Sequence, residues 1–347
     1  MNDSATLWWD AEKNCLCYIE QTLLPGEYRI IECRSVDRLA TAIRRLEIRG
    51  APALGVAGAY GVALAARTLP NGNFSSGMAG IRTAAELLRS TRPTAINLGW
   101  GIDRVLATLK TARSVEEVRD ISLREADTIA REDTACCHTI GDNGAALLPG
   151  HCTVLTHCNA GALACSSWGT ALGVIRSAVN AGKDVKVIAC ETRPLLQGAR
   201  LTAWELERDG IDVTVITDSM AAHFMRAGAI DAVIVGADRI THDAVFNKIG
   251  TYMHAVCAGH HGIPFYVAAP LSTFDPDNAE RDVVIEERGR DEVAVMGNRT
   301  YVPGQVKVKN PAFDATPMGL VTAIITETGV LRQPIDTRSH LSLRKSH

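Results

Sequence analysis

From about Asp142 onward, short β-branched or apolar runs alternate with helix-length segments, and this rhythm constrains the fold more than any other feature of the chain. The runs are Thr153 to His157, Val185 to Cys190, Val213 to Ile216, Ala232 to Val235 and Phe265 to Ala268. Between them, Gly169 to Ala181, Ala199 to Asp209, Met220 to Ala227 and Lys248 to His260 carry helical patterning. Strands separated by helices of that length form βαβ units, and successive units build a parallel, doubly wound sheet. The expected fold class is therefore α/β, with a Rossmann-like parallel sheet domain over residues 142–347.

The region before it reads differently. Cys15 to Gln21 and Tyr28 to Cys33 are strand-like, with Pro25-Gly26 as the turn between them. Ser35 to Leu46 follows as a helix with Ser35 at its N-cap, then Ala51 to Arg67, Gly77 to Ser90, Asn97 to Lys110 and Val115 to Cys137. This predicts a smaller, mainly helical domain with a short antiparallel sheet over residues 1–141. Leu148-Pro149-Gly150-His151 supplies a break close to the junction.

Composition narrows the function classes. The chain is 46% hydrophobic and 22% charged with a net charge of −3, so it has ample material for two cores and no extended basic face. Nucleic acid is not an expected partner, since the largest basic cluster is the short tail Arg338 to Lys345. The polar, acidic N-terminus lacks a basic-then-apolar run, and the most apolar window, Ala51 to Ala66, is too short and Gly-rich for a span of about 20 residues. We expect a cytoplasmic protein with no membrane association. Ten cysteines without a Cys-x-x-Cys pair then read as reduced thiols. Cys15 and Cys17 share a strand face, whereas Cys136, Cys137 and His138 diverge around a helix. Buried apolar cysteine outweighs metal binding at both, and no metal site is expected.

In an open parallel sheet, ligands bind outside the carboxyl ends of the strands. Those ends are His157-Cys158-Asn159-Ala160-Gly161, Glu191-Thr192-Arg193-Pro194, Thr217-Asp218-Ser219 and Gly236-Ala237-Asp238-Arg239. Cys158 is a nucleophile, an acid/base or a bland buried thiol. Asn159, Gly161 and Ser166-Ser167 are poor core material, and a helix N-terminus downstream favours thiolate, so function leads. Asp238 is an acid/base group, or else an N-cap or a partner for Arg239. His157 reads as a structural hydrogen-bonding residue. In the first region, Arg49-Gly50-Ala51-Pro52 sets a guanidinium beside a helix start, which suits a small anion, and Arg92-Pro93-Thr94 adds a second cation at another helix entry. Neither Gly-x-Gly-x-x-Gly nor a P-loop occurs, which argues against nicotinamide or nucleoside triphosphate chemistry, and no cofactor is expected.

Six blocks in order carry a resemblance. They are Arg49-Gly50-Ala51-Pro52-Ala53, Arg92-Pro93-Thr94-Ala95-Ile96-Asn97-Leu98, Thr156-His157-Cys158-Asn159-Ala160-Gly161, Glu191-Thr192-Arg193-Pro194 with Gln197-Gly198-Ala199-Arg200-Leu201, Gly236-Ala237-Asp238-Arg239-Ile240 and Asn247-Lys248-Ile249-Gly250-Thr251-Tyr252. Together they resemble the methylthioribose-1-phosphate isomerases of methionine salvage, from about Trp9 to Thr328. The same superfamily holds ribose-1,5-bisphosphate isomerases and regulatory subunits of an initiation-factor exchange complex.

The resemblance implies an aldose–ketose isomerase with catalytic Cys158 and Asp238. It further implies sugar-phosphate contacts from Arg49, Gly50, Ala51, Arg92, Gln197, Asn247 and Lys248, no metal or cofactor, and a homodimer. Trp100 and Tyr252 are candidates for an apolar wall. One departure stands out: Thr241 to Phe246 lacks the glycine turn usual before Asn-Lys, and the loss of a positive-φ residue should change the turn type.

Overall fold

The computed structural model describes residues 5–69, 74–93 and 95–337. Thr94 of the Arg92 block and the basic tail from Arg338 to Lys345 lie outside the described residues. The chain divides into two compact units, residues 1–138 with 161–169, and residues 139–160 with 170–347. Gly161–Gly169 packs with the first unit although the chain on both sides of it belongs to the second.

In the first unit, β1 (Leu7–Asp10), β2 (Cys15–Ile19) and β3 (Ile30–Cys33) form an antiparallel sheet in that order. The sequence reading missed β1, because its apolar run is short and is held by pairing with β2 rather than by its own periodicity. Helix α1 (Val36–Arg44) begins as expected at Ser35, whose side chain accepts from the Arg38 N–H. Helix α2 (Ala51–Arg67) is buried from Ala53 to Ala66, so it is apolar on every side and serves as the unit's centre. Helices α3 (Phe74–Thr91) and α4 (Ile96–Thr108) follow. The small residues of α2 permit a close crossing with α4: a Cβ on Gly101 would lie 2.0 Å from the Gly55 carbonyl oxygen.

Helix α5 (Val115–Ala145) outruns the expected end at Cys137. Its continuation contains Gly141 and Gly144, which local propensity penalises. Packing overrides that penalty, since a Cβ on Gly144 would lie 2.3 Å from Val174 Cγ2 in the second unit's own core.

The second unit contains β4 (His151–Thr156), α6 (Ala171–Asn180), β5 (Asp184–Cys190), α7 (Ala203–Arg208), β6 (Val213–Ile216), α8 (Ala221–Arg226) and β7 (Ala232–Val235). A hairpin of β8 (Arg239–Ile240) and β9 (Ala244–Lys248) leads to α9 (Thr251–His260) and β10 (Phe265–Ala268). Short α10 (Arg290–Ala294) and the ribbon β11 (Val295–Met296) with β12 (Arg299–Thr300) precede β13 (Phe313–Pro317), β14 (Ala323–Thr326) and β15 (Gly329–Arg332). The main sheet runs β15-β14-β10-β7-β4-β5-β6, parallel throughout except for the β14–β15 edge pair. Leu155, Val233, Val235, Val267 and Ile324 from four of these strands join Ala255 and Ala258 of α9 in its core.

One local expectation is corrected. Lys248 ends strand β9 instead of opening a helix, because Ala244–Lys248 pairs antiparallel with β13, some 65 residues later in sequence, a partner that no local pattern announces. The Thr241–Asp243 turn closes the hairpin without a positive-φ residue: Thr241 Oγ1 donates to Asp243 Oδ1 at 2.8 Å and accepts from the Ala244 N–H at 3.1 Å. A threonine side-chain turn thus does the work of the missing glycine. Among the described residues no helix is long and apolar enough to cross a membrane.

Candidate active site

The chain winds outward from β4 through β5 to β6, then returns across β4 to place β7 on its other side. The order reverses between β4 and β7, and in a doubly wound sheet that switch point opens the ligand crevice at the carboxyl ends. Thr156 ends β4 and Val235 ends β7, so Cys158 and Asp238 lie on the loops that follow these two adjacent strands. The loops touch: a Cβ on Gly236 would lie 2.6 Å from Ala160 Cβ, so only glycine permits their approach.

Cys158 is buried and sits at φ 65°, a left-handed conformation uncommon for a residue with a Cβ. Thr192, which is β-branched, is held at φ 67° beside it. Such residues carry about 1–3 kcal/mol of strain each and persist only where their surroundings over-determine them. Here the Cys158 N–H donates to Thr192 Oγ1 at 2.9 Å, and Thr202 Oγ1 donates to the Cys158 carbonyl at 2.7 Å. Thr192 is fixed in turn, since Asp218 accepts from the Thr192 N–H at 2.8 Å and from the Arg193 N–H at 2.7 Å. The sequence reading missed Thr192, Thr202 and Asp218 as supports, although Thr192 and Asp218 lie on strand ends it singled out.

The expected helix N-terminus does not directly follow Cys158. The chain leaves for the Gly161–Gly169 excursion and α6 starts only at Ala171, so the helix-end argument for a thiolate fails locally. The neighbouring Asn159 is clamped instead. Its Nδ2 donates to Glu205 Oε1 at 2.9 Å, and Glu205 pairs with Arg176 at 2.8 Å, which also meets Asp209 at 2.6 Å. Arg176 and Glu205 are almost wholly buried.

Gln197 is buried, and its Oε1 has no hydrogen-bond partner among the described residues. It precedes a π-helical turn, Gly198–Thr202, a form that recurs at functional sites. A Cβ on Gly198 would lie 1.7 Å from the Cys190 carbonyl oxygen, so this turn lies directly on the end of β5. Asn247 and Lys248 are buried on β9. Asn247 Nδ2 donates to Thr251 Oγ1 at 3.0 Å, and the Lys248 ammonium donates to the Ala312 carbonyl at 2.9 Å and stands 4.4 Å from the Phe313 ring centroid. Asp238 is half-buried, and its N–H donates to the Phe246 carbonyl at 2.9 Å.

His157 takes the structural role expected of it, with Nε2 donating to the Ile249 carbonyl at 2.9 Å. Burial lowers its pKa to about 4 and that of His254 to about 3, so both imidazoles are neutral at pH 7. Cys158, Asp238, Gln197, Asn247 and Lys248 all belong to the second unit. Arg49, Gly50, Ala51 and Arg92 belong to the first. There Gly50 caps α2 at φ 91°, Pro52 opens its first turn, and a Cβ on Gly50 would lie 2.5 Å from Ala164 Cα. Arg92 lies between α3 and α4. Trp100 is half-buried, with Arg104 over its ring at 5.6 Å, whereas Tyr252 is 45% exposed.

The sequence profile of the initiation factor 2 subunit family matches residues 47–333, which spans both blocks of candidate residues. The chain belongs to that family. A methylthioribose-1-phosphate isomerase of Roseiflexus is 50% identical over 349 residues, covering 99% of this chain and 98% of that one. The crystal structure of 5-methylthioribose 1-phosphate isomerase from Pyrococcus horikoshii superposes with a TM-score of 0.91 at 40% identity, covering 99% of this chain and 96% of that one. A crystal structure from Archaeoglobus fulgidus, described as translation initiation factor eIF-2B, subunit delta, superposes with a TM-score of 0.88 at 55% identity, covering 95% and 96%. The Rossmann-like sheet and the smaller helical region with its antiparallel sheet are thus a fold shared along nearly the whole chain.

Proposed function

We propose that the chain is an aldose–ketose isomerase that converts 5-methylthioribose 1-phosphate into 5-methylthioribulose 1-phosphate, with Cys158 and Asp238 as its catalytic pair. The observation that supports this reading is the left-handed backbone of Cys158, held by Thr192 and Thr202 on the loop after β4, next to the β7 loop that carries Asp238. Relatives named as this isomerase support it across nearly the full length.

Phosphate on the anomeric oxygen blocks ordinary ring opening. Asp238 donates a proton to the ring oxygen as its bond to C1 breaks, and the C2 hydroxyl gives up a proton to become the ketone, so the proton count balances. The hydrogen on C2 moves to C1, with Cys158 as the acid/base group or as part of a dry wall for a hydride shift. Gln197 offers its open carbonyl oxygen to a sugar hydroxyl. Arg49, Gly50, Ala51, Arg92, Asn247 and Lys248 are the remaining candidate contacts to the sugar phosphate. The protein acts as a cytoplasmic homodimer in this reading, which light scattering tests.

The deciding experiment is turnover of three compounds: 5-methylthioribose 1-phosphate, 5-deoxyribose 1-phosphate and ribose 1,5-bisphosphate. The highest kcat/KM should fall on the first. Equal or faster turnover of either rival would reassign the substrate, and no turnover of any of the three would return the chain to a binding role. Solvent deuterium in the product marks the enediolate route, and its absence the hydride route.

A further inference from the structure

Below the Cys158 loop, four metal-ligating side chains converge from four separate elements of the second unit. His157 follows β4, Cys190 ends β5, Asp218 follows β6 and His254 lies on α9. Their candidate ligand atoms all lie within 4.8 Å of one another. His157 Nδ1 is 3.2 Å from His254 Nε2 and 3.7 Å from Asp218 Oδ1. Ligand atoms of a tetrahedral zinc centre, with bonds of about 2.0–2.3 Å, stand roughly 3.3–3.8 Å apart. His157, Cys190 and His254 are buried, and the Asp218 side chain is 20% exposed, which leaves the cluster one polar edge.

We infer that His157, Cys190, Asp218 and His254 form a structural site for a borderline-soft divalent transition metal of the zinc type. Two imidazoles, a thiolate and a carboxylate suit such an ion and disfavour magnesium or calcium, which take oxygen ligands. Charge balances, because the thiolate and the carboxylate offset the 2+ ion once Cys190 releases its proton. The supporting contacts are already in place. His157 Nε2–H donates to the Ile249 carbonyl, which turns Nδ1 into the open donor atom, and Asp218 is oriented by the Thr192 and Arg193 N–H groups. His157 Nδ1 faces both His254 Nε2 and Asp218 Oδ1, so the ring nitrogens that would take the ion already point at one another and at the carboxylate.

Four protein ligands fill the tetrahedron, so the ion ties strand ends together and leaves no coordination position for chemistry. The inference differs from the expectation that the chain holds no metal, and it does not rest on the proposed sugar-phosphate activity.

The test is a cobalt titration of the chelator-treated full-length protein, read by its visible spectrum. One equivalent of Co2+ should give the intense visible bands of a tetrahedral site and a thiolate charge-transfer band in the near ultraviolet, both displaced by Zn2+. Cys190→Ala should abolish the charge-transfer band, His254→Leu should weaken Co2+ binding by more than about 100-fold, and Cys158→Ser should leave the spectrum unchanged. If Cys190→Ala does not fold, His254→Leu and Asp218→Asn carry the test. Absence of saturable binding in the unmodified protein, or a spectrum unaltered in the cluster variants, would overturn the assignment.

Discussion

The contact between Gly236 and Ala160 gives a quantitative handle on the switch-point crevice. In Gly236→Ala, the new methyl would lie 2.6 Å from Ala160 Cβ, whereas carbon atoms settle at about 3.5–4.0 Å, so the two loops must separate by about 1 Å. Overpacking of this kind destabilises by about 1–3 kcal/mol. Gly236 is not among the positive-φ residues, so the backbone adds no penalty of its own. Function should suffer more than stability, because a 1 Å misplacement of reacting groups can cost about 100-fold in rate. Urea unfolding would report the first effect, and kcat/KM on 5-methylthioribose 1-phosphate the second. The decisive comparison is the double variant Ala160→Gly/Gly236→Ala, which moves the methyl from one loop to the other. It should recover most of the lost rate, with a coupling energy above about 1 kcal/mol. Simple additivity of the two single variants would refute the claim that this contact sets the separation of the Cys158 and Asp238 loops.

Cys158→Ser and Asp238→Asn should each lower kcat by orders of magnitude while the urea midpoint stays unchanged, and near-normal turnover in either would remove that residue from the mechanism. Arg176→Met leaves Glu205 and Asp209 without their buried counter-ion, so a loss of about 3–5 kcal/mol is expected by urea unfolding, and a loss below about 1 kcal/mol would show that the network is not held by charge. Burial raises the Asp314 carboxyl from its ordinary 3.8 to about 6, even though it accepts the Gly250 and Tyr252 N–H groups. The unfolded chain therefore gives up this proton first. The stability Asp314 contributes is full below pH 4 and falls by about 3 kcal/mol as pH rises through 6. Asp314→Asn should flatten that part of the pH–stability curve, and an unchanged slope between pH 4 and 7 would disprove the raised value.

Much of the fold was legible because it depends on local periodicity. Val213–Ile216, Ala232–Val235, Phe265–Ala268 and Ala51–Arg67 have the boundaries their patterns predict. Elements that depend on distant partners were not legible: β1 exists through its pairing with β2, and β9 through β13. At the site, the strand-end rule and the motif blocks selected Cys158, Asp238 and Gln197 from residue type and position. They could not supply the backbone conformation of Cys158, the threonines that impose it, or the π-helical turn at Gly198. Those features arise where several strand ends meet, and no window of sequence contains them all.

By itself the sequence determined the alternation of strands and helices, and hence a parallel sheet whose carboxyl ends carry the polar residues. Only the tertiary structure decided the strand order, with β4 and β7 adjacent at the reversal, so that the loops carrying Cys158 and Asp238 follow neighbouring strands. It alone gathered His157, Cys190, Asp218 and His254 within ligand distance. The physical reason is the same in both cases: periodicity fixes which way a side chain faces, but which strands become neighbours is settled by packing between segments far apart in the chain.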